Sequence, residues 1–209
     1  MKRKTRQKRQ IVKPNNQTSS DILLQIANDN TLDKELTYNM ILKKLGKRSF
    51  GIALIVFALP SALPLSAIPG ISFLFSIPIA IFAIELIFAK NAFWLPRIIG
   101  ERKISKEKFT RIVNYSVPYL KKMERLIKPR WKIMNSNIMK RIHGVIILCL
   151  TLLLMLPIPF SNFIYSILII LISFGLMEND GVVISLAYIG FIFNMLFIYI
   201  FFSATIQLF

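Results

Sequence analysis

Basic residues are absent from the last third of the chain, since residues 143–209 contain no Lys and no Arg. Histidine and cysteine are scarce as well, with one of each, His143 and Cys149, in 209 residues. One cysteine cannot form an intramolecular disulfide, so a disulfide-stapled scaffold is excluded. One histidine, without a Gly-rich phosphate loop or a nucleophile beside a base, gives no catalytic or metal-binding pattern. We therefore expect that the protein is not an enzyme and needs no metal or cofactor.

Two properties that rarely occur together dominate the composition. The net charge is +17, and yet 55% of the residues are hydrophobic and the mean hydropathy is +0.57. Soluble domains contain about 45–50% apolar residues. A soluble nucleic-acid binder would explain the charge but not the hydropathy, so we expect no nucleic-acid partner. An integral membrane protein with basic surface segments explains both properties.

Charge and hydropathy alternate in blocks along the chain. Residues 1–48 carry 12 of the 27 basic side chains and residues 90–142 carry the other 15. Residues 49–89 contain a single charged side chain, Glu85. Basic segments favour the cytoplasmic face. We therefore expect a multi-pass protein of the bacterial inner membrane, with its N-terminus and its central basic loop in the cytoplasm.

The sequence predicts an all-α integral membrane protein made of seven segments. They are a basic disordered cytoplasmic tail (1–30), a short cytoplasmic or interfacial helix begun by Thr31 and stopped by Gly46 (31–48), a first membrane hairpin (49–89), a basic cytoplasmic loop with an amphipathic helix (90–142), a second membrane hairpin (143–177), a turn (178–181) and a C-terminal transmembrane helix (182–209).

Prolines break both hairpins. The first apolar block holds four helix-breaking residues within eleven positions, which should end a helix between residues 59 and 63; they are Pro60, Pro64, Pro69 and Gly70. The second block has Pro157 and Pro159 at the corresponding place, after an arm that begins at Gly144. A first arm of about 15 residues spans only about 22 Å, less than a hydrocarbon core of about 30 Å. Hairpins that re-enter, or that barely span, are therefore expected.

The two hairpins also align without a gap at an offset of 93 residues, which indicates an internal repeat. The aligned pairs with polar or helix-breaking character are Arg48 with Arg141, Gly51 with Gly144, Pro64 with Pro157, and Glu85 with Glu178. Chance matching of apolar sequences is the alternative. Parallel and inverted repeats both remain open.

The helix breaks predict a polar pocket, because backbone groups freed at a break must be buried in protein or be hydrated. The side chains in or beside the breaks are Ser61, Ser66, Ser72, Ser161 and Asn162. We expect Ser66, Ser72 and Asn162 to line the pocket and Arg48 and Arg141 to attract a phosphate. Glu85 and Glu178 are candidates because acidic groups in membrane segments are costly. The alternative is that all four charged residues only anchor helix ends at the interface, which is also where we expect His143.

An amphipathic helix is predicted in the basic middle segment, from a cap at Ser105 to about Lys128. Its apolar stripe consists of Phe109, Ile112, Val113, Ser116, Leu120, Met123 and Ile127. Basic residues occupy the other side. Such a helix usually lies in the headgroup plane, so anionic lipid headgroups are the expected partners. Binding of this helix to a protein partner is the alternative.

Several strings resemble the exopolysaccharide-synthesis ExoD family. They are LGKRSFGIALIVFALPSALPLSAIPGIS, WLPRIIG, SKEKFTRIVNYSVPYLKKMERLIKPR, LPIPFSN and GLMENDGVV, within residues 31–190. The resemblance implies a role in bacterial exopolysaccharide production and supplies no molecular activity. Glu85 stands where we expect Gln in many members.

Two functions fit these observations. The first is a small transporter or lipid-handling protein for anionic or lipid-linked envelope precursors. The second is a non-transporting adaptor or regulator of a polysaccharide-export assembly. Membrane lipids, a polysaccharide or lipid-linked precursor and a second copy of the chain are the expected partners.

Overall fold

The structure is a computed structural model that describes residues 18–29, 35–63, 70–90, 95, 97–127, 129–131, 134, 136–156 and 161–208. In chain order its elements are α1 (Ser19–Asn28), β1 (Glu35–Thr37), α2 (Tyr38–Leu45), α3 (Arg48–Ala62), α4 (Ile71–Ile87), α5 (Arg97–Gly100), β2 (Lys103–Ser105), α6 (Lys106–Glu124), α7 (Asn137–Met155), α8 (Ser161–Glu178) and α9 (Gly181–Leu208).

The first hairpin consists of α3 and α4. Helix α3 has 15 residues, carries Pro60 in its last turn and ends at Ala62, so the predicted end between residues 59 and 63 is confirmed. Helix α4 begins after Gly70, whose φ of +89° lies in the left-handed region that glycine adopts without strain. Pro64, Ser66 and Pro69 lie outside the described residues.

The second hairpin consists of α7 and α8. Helix α7 begins at Asn137, capped by the Ser136 hydroxyl, and has 19 residues. The expectation of an arm starting at Gly144 is therefore wrong by two turns. The added turns are helical despite their polarity because Lys140 and His143 are buried against the protein. Pro157 and Pro159 lie outside the described residues. The unbroken 28-residue helix α9 follows, as the sequence predicts.

The hairpins interlock rather than stand side by side. Helix α3 packs most extensively on α8, and α4 packs most extensively on α7. Gly51 near the start of α3 lies against Met177 near the end of α8, while Gly144 of α7 lies against Ile87 at the end of α4. Both pairs are therefore antiparallel, and both helix breaks lie at the same end of the four-helix bundle. The core is built from apolar side chains of all four helices, including Leu54, Ile79, Ile147, Leu150, Ile169 and Ile172.

Three helices in the described part of the chain are long and apolar enough to cross a membrane. They are α7, α8 and residues Gly181–Ile200 of α9. Helices α2 and α3 pass the same test as one pair bent by 119°, which would raise the number to four. Helix α4 is apolar but shorter, with 17 residues. The membrane-protein class predicted from composition fits these helices.

A second unit packs outside the bundle and corrects two expectations. Residues 19–28 were expected in a disordered tail, but they form helix α1, whose N-terminus carries a capping box between Thr18 and Asp21. Helix α1 packs on α6, so the predicted apolar stripe of α6 is covered mostly by protein rather than by lipid. The core of this unit consists of Leu23, Ile26, Ala27, Leu36, Ile41, Leu45, Phe109, Val113 and Val117.

The boundaries of this unit also differ from the prediction. The segment expected to be one helix from Thr31 contains strand β1, which pairs antiparallel with β2, and then α2, capped by the Thr37 hydroxyl. Thr31 itself lies outside the described residues. Gly46 ends α2 with a φ of +54°, as expected of a helix stop. Helix α6 begins after Ser105 as predicted but ends at Glu124, before Lys128.

Candidate functional site

At the break end of the bundle, polar side chains of different helices meet. The side-chain amide of Asn162 on α8 donates to the Ser72 hydroxyl of α4 over 3.1 Å, which joins the two hairpins. The Oδ1 atom of Asn162 and the hydroxyl of Ser61 are buried and have no hydrogen-bond partner among the described residues. A buried polar group without a partner costs about 1–3 kcal/mol. This end therefore offers hydrogen-bonding capacity that a polar ligand or water can use.

At the opposite end, Arg48 and Glu178 form a buried ion pair with an Nη1–Oε1 distance of 3.7 Å. The same carboxylate oxygen accepts the backbone N–H of Ser19 over 3.1 Å, and Arg48 donates to the Ser19 hydroxyl over 3.2 Å. Glu178 is thus a structural acceptor under α1. These contacts attach the outer unit to the bundle.

The first turn of α1 holds a second carboxylate. The Ser20 backbone N–H and hydroxyl donate to the two oxygens of Glu124, at the end of α6, over 2.8 and 2.5 Å. Exposed N–H groups and the helix dipole make a helix N-terminus favourable for negative charge. Helix α1 therefore connects α6 with α8 through two acidic side chains. Sequence reasoning missed this role because it assigned the segment to the tail.

Glu85 is also buried, with 4% of its surface exposed, and forms an ion pair with Lys90 over 2.9 Å. Lys90 lines a small cavity together with Lys47 and Lys140. Sequence reasoning did not select these lysines. The signal was present, because the 93-residue offset that aligns Arg48 with Arg141 also aligns Lys47 with Lys140.

The two predicted arginines lie in different surroundings. Arg48 is mostly buried in the contacts with Glu178 and Ser19, whereas Arg141 has an exposed side chain. The structure thus brings Ser72 and Asn162 together. The two arginines are not used in the same way: Arg48 forms an ion pair with Glu178, whereas Arg141 forms none with Glu85, which pairs with Lys90. Ser66 falls outside the described residues.

His143, which the sequence placed at the membrane interface, is fully buried within the protein. Its Nε2 atom lies 2.8 Å from the carbonyl oxygen of Met134, and its Nδ1 atom contacts the hydroxyl of Tyr188 on α9. A carbonyl can only accept, so Nε2 carries a proton and Nδ1 is left to accept from the Tyr188 hydroxyl. The imidazole thereby joins α7 to α9. The described residues contain no group of three or more His, Cys, Asp or Glu side chains that could hold a metal ion.

These features define a helical protein of the membrane type, with buried polar side chains of the helices beside the breaks at one end and a network of charged residues at the other. The family described as "Exopolysaccharide synthesis, ExoD" matches residues 19–200, and the chain belongs to this family.

Two relatives support this assignment. A protein described as uncharacterized from Synechocystis sp. (strain ATCC 27184 / PCC 6803 / Kazusa) is 33% identical over 170 residues, which cover 78% of each chain. Protein ExoD of Rhizobium meliloti (strain 1021) is 29% identical over 157 residues, which cover 73% of this chain and 65% of that protein. No solved structure matches.

Proposed function

We propose that the protein is a small transporter or lipid-handling protein of the bacterial inner membrane that acts on an anionic or lipid-linked precursor of exopolysaccharide. The family supplies the link to exopolysaccharide synthesis. The observation that carries the molecular role is the polar break end, where Ser61, Ser72 and Asn162 lie within an otherwise apolar bundle.

Unsatisfied polar groups are costly in an apolar environment. Lipid cannot satisfy Ser61 Oγ or Asn162 Oδ1, so a bundle selected for stability alone would favour apolar residues at these positions. A precursor with sugar hydroxyls can donate to both oxygens. The hydroxyl of Ser72 already receives the Asn162 amide, and this hydrogen bond orients the free Oδ1 atom.

The proposed role fits an internal repeat in which the two hairpins have the same orientation. The first arms, α3 and α7, run in the same direction, and each packs on the second arm of the other hairpin. A twofold axis along the bundle would produce this exchange, and it would bring the two breaks together at one end. We infer that the breaks face the periplasm and the basic segments face the cytoplasm.

Reporter fusions test this orientation. We expect that alkaline phosphatase fused after Phe209 is active and that the same enzyme fused to the N-terminus is inactive, because the N-terminus is cytoplasmic and α9 crosses the membrane once more. Equal activity of the two fusions would contradict the placement of the break end.

A flux assay in liposomes tests the transport role. The purified protein is reconstituted, and movement of a fluorescent polyprenyl phosphate between leaflets is followed by chemical quenching of the outer leaflet. We expect the substitution Asn162→Leu to reduce flux about tenfold without lowering the unfolding temperature, because it removes an unsatisfied polar atom together with the bond to Ser72.

Ser173→Ala is the matched control for this assay. It also removes a buried hydroxyl from α8, but this hydroxyl donates to the carbonyl of Ile169 within its own helix and lies at the other end of the bundle. Its flux should equal that of the wild type. Wild-type protein without flux, or an Asn162→Leu variant with normal flux, would refute the transport proposal. Arg141→Gln tests separately whether the exposed guanidinium attracts the phosphate.

An adaptor role is the second candidate, and one observation favours it. Helix α6 and the turn after it expose a row of large apolar side chains away from α1, namely Ile112, Tyr115, Tyr119 and Leu126. Basic residues such as Arg111 flank this row. If recruitment is the function, Tyr115→Ser with Tyr119→Ser should abolish exopolysaccharide production in cells and leave liposome flux unchanged. Normal production by this variant would argue against the adaptor role.

A further inference from the structure

Helix α6 and the turn after it carry a row of large apolar side chains on the side turned away from α1. This exposed row consists of Ile112, Tyr115, Tyr119 and Leu126, whose exposed fractions lie between 58% and 78%. The four residues follow one another at helical spacing, so they lie on one side of the helix. An apolar surface of this kind marks a contact with another protein or with a membrane.

The packing of α6 on the bundle favours the membrane. Ile127, just after α6, forms an apolar cluster with Phe174 of α8, and Met123 of α6 packs against the same cluster. Ile170 of α8 also packs against it and lies about 12 Å along the helix axis from the end of α8. Because α8 is long and apolar enough to cross a membrane, a bilayer around it would begin at the level of the end of α6.

The exposed row borders this contact with the bundle. At about 3.6 residues per turn, Met123 lies about 50° around the helix from the centre of the row, whereas Asn114 and Lys121 lie about 130–150° from it. A bilayer that surrounds the bundle would therefore meet the row first. Trp131 lies at the same end of the bundle, against Gly181 at the start of α9, and is 62% exposed. Tyrosine and tryptophan are enriched where a membrane meets water, because their rings are apolar and carry one polar atom.

Basic side chains indicate which kind of lipid the row would meet. Lys108, Arg111 and Lys122 are exposed and lie within about 70° of the centre of the row. The acidic residues of α6 lie elsewhere, since Glu107 is about 110° from that centre and Glu124 is bonded to the first turn of α1. Cations near an anionic membrane surface strengthen binding to it. The row is thus apolar with a basic rim, which complements a surface of anionic headgroups.

We propose that α6 binds anionic phospholipids of the membrane leaflet that borders the end of the bundle opposite the helix breaks. The exposed row enters the headgroup region, and Lys108, Arg111 and Lys122 bind lipid phosphates. The sequence favoured lipid contact for the opposite stripe, which contains Phe109, but this stripe lies in the core shared with α1. The contact does not depend on transport, because it follows from the way α6 packs, and it anchors the unit formed by α1 and α6 on the membrane.

A fluorophore on α6 of the full chain tests this contact in lipid nanodiscs. Cys149→Ala removes the native thiol, and Tyr119→Cys supplies one thiol for the environment-sensitive dye NBD. Lipids with a doxyl group close to the headgroup quench a dye that lies in the interface. In nanodiscs that contain phosphatidylglycerol, we expect dye at position 119 to be quenched at least about threefold more strongly than dye in Lys121→Cys, because these positions lie on opposite sides of a helix about 10 Å wide.

Lys122→Gln and Lys121→Gln form a matched pair for the charge, because they are neighbours on α6 and remove the same charge from different sides of the helix. We expect Lys122→Gln to raise the phosphatidylglycerol content needed for half-maximal quenching at position 119 by at least about twofold, and Lys121→Gln to leave it unchanged. If Tyr119→Cys does not fold, Tyr115→Cys is the reporter, since this side chain is 75% exposed.

Equal quenching at positions 119 and 121 would overturn the proposal and leave the row to a protein partner, as the adaptor role requires. Quenching that does not depend on phosphatidylglycerol, or equal effects of Lys122→Gln and Lys121→Gln, would overturn it as well. Strong quenching at position 119 in a protein that shows no flux would refute transport and leave the lipid contact intact.

Discussion

Replacing Glu178 by Gln removes the charge from a carboxylate that holds two parts of the fold together. The amide oxygen of Gln can still accept the Ser19 N–H, which lies 3.1 Å from Glu178 Oε1. The substitution therefore removes the ion pair with Arg48 more selectively than a truncation would. Only 19% of the Arg48 side chain and 6% of the Glu178 side chain are exposed, so the guanidinium keeps a charge that water solvates poorly.

The expected cost follows from this burial. Breaking a buried ion pair by removing one partner costs about 3–5 kcal/mol, because the remaining charge is uncompensated. The separation of 3.7 Å and the partial exposure of Arg48 place the value at the lower end, near 3 kcal/mol. For a chain of this size, that loss lowers the unfolding temperature by about 6–12 °C. The double variant Arg48→Gln with Glu178→Gln should be no less stable than Glu178→Gln, since it removes the guanidinium together with its partner.

A thiol-reactive dye that reports exposure of Cys149 in the middle of α7 measures these unfolding temperatures in detergent. The matched control is the same set of single and double Gln substitutions at Lys103 and Glu35. The charged atoms of this pair are closer, at 2.7 Å, but the side chains are 65% and 57% exposed. Its coupling energy should stay below about 1 kcal/mol. Additive effects of Arg48→Gln and Glu178→Gln, or a larger coupling for the exposed pair, would contradict a stabilisation that depends on burial.

Two further predictions concern packing. A Cβ atom at Gly51 or Gly144 would lie 2.6 or 2.7 Å from backbone atoms of the facing helix. Alanine at either position should therefore lower the free energy of unfolding by about 1–3 kcal/mol. At Gly190 the nearest atom, at 2.7 Å, is the end of a flexible side chain, so alanine there should cost less. Equal losses at all three positions would contradict the close helix contact. Phe109→Ala should cost about 3–5 kcal/mol and make α1 sensitive to thermolysin, which cleaves before the Ile and Leu residues of this helix. The exposed Tyr115→Ala should change stability by less than about 0.5 kcal/mol. An α1 that resists thermolysin in Phe109→Ala would show that α6 does not hold it.

Local chemistry explains the features that could be predicted. Pro60 and the neighbouring breakers end a helix wherever they occur, because proline lacks an N–H donor and clashes with the preceding turn. The unbroken apolar run of α9 could be predicted as one helix because it contains no helix-breaking proline. Ser105 and Gly46 marked a helix start and a helix stop correctly, since capping depends on the residue itself.

The sequence predictions were wrong where contacts between residues far apart in the chain determine the local structure. Residues 19–28 looked like part of a tail because the basic residues before them dominate the composition. Their apolar side chains are stable as a helix because α6 covers them and because Glu124 and Glu178 accept the N–H groups of their first turn. No local signal places those two carboxylates, 54 residues apart in the chain, beside one helix end.

The class of the protein can be predicted from the sequence alone, because its alternating charge and hydropathy, its two broken hairpins and its long final helix are properties of neighbouring residues. Which charged side chains contact each other depends on the tertiary structure. The interlocked hairpins place Arg48 with Glu178 and Lys47 with Lys140, and they leave Arg141 exposed although it occupies the matching sequence position. The physical reason is that spacing along a helix fixes the face on which a side chain lies, whereas the packing of separate helices fixes what that face contacts.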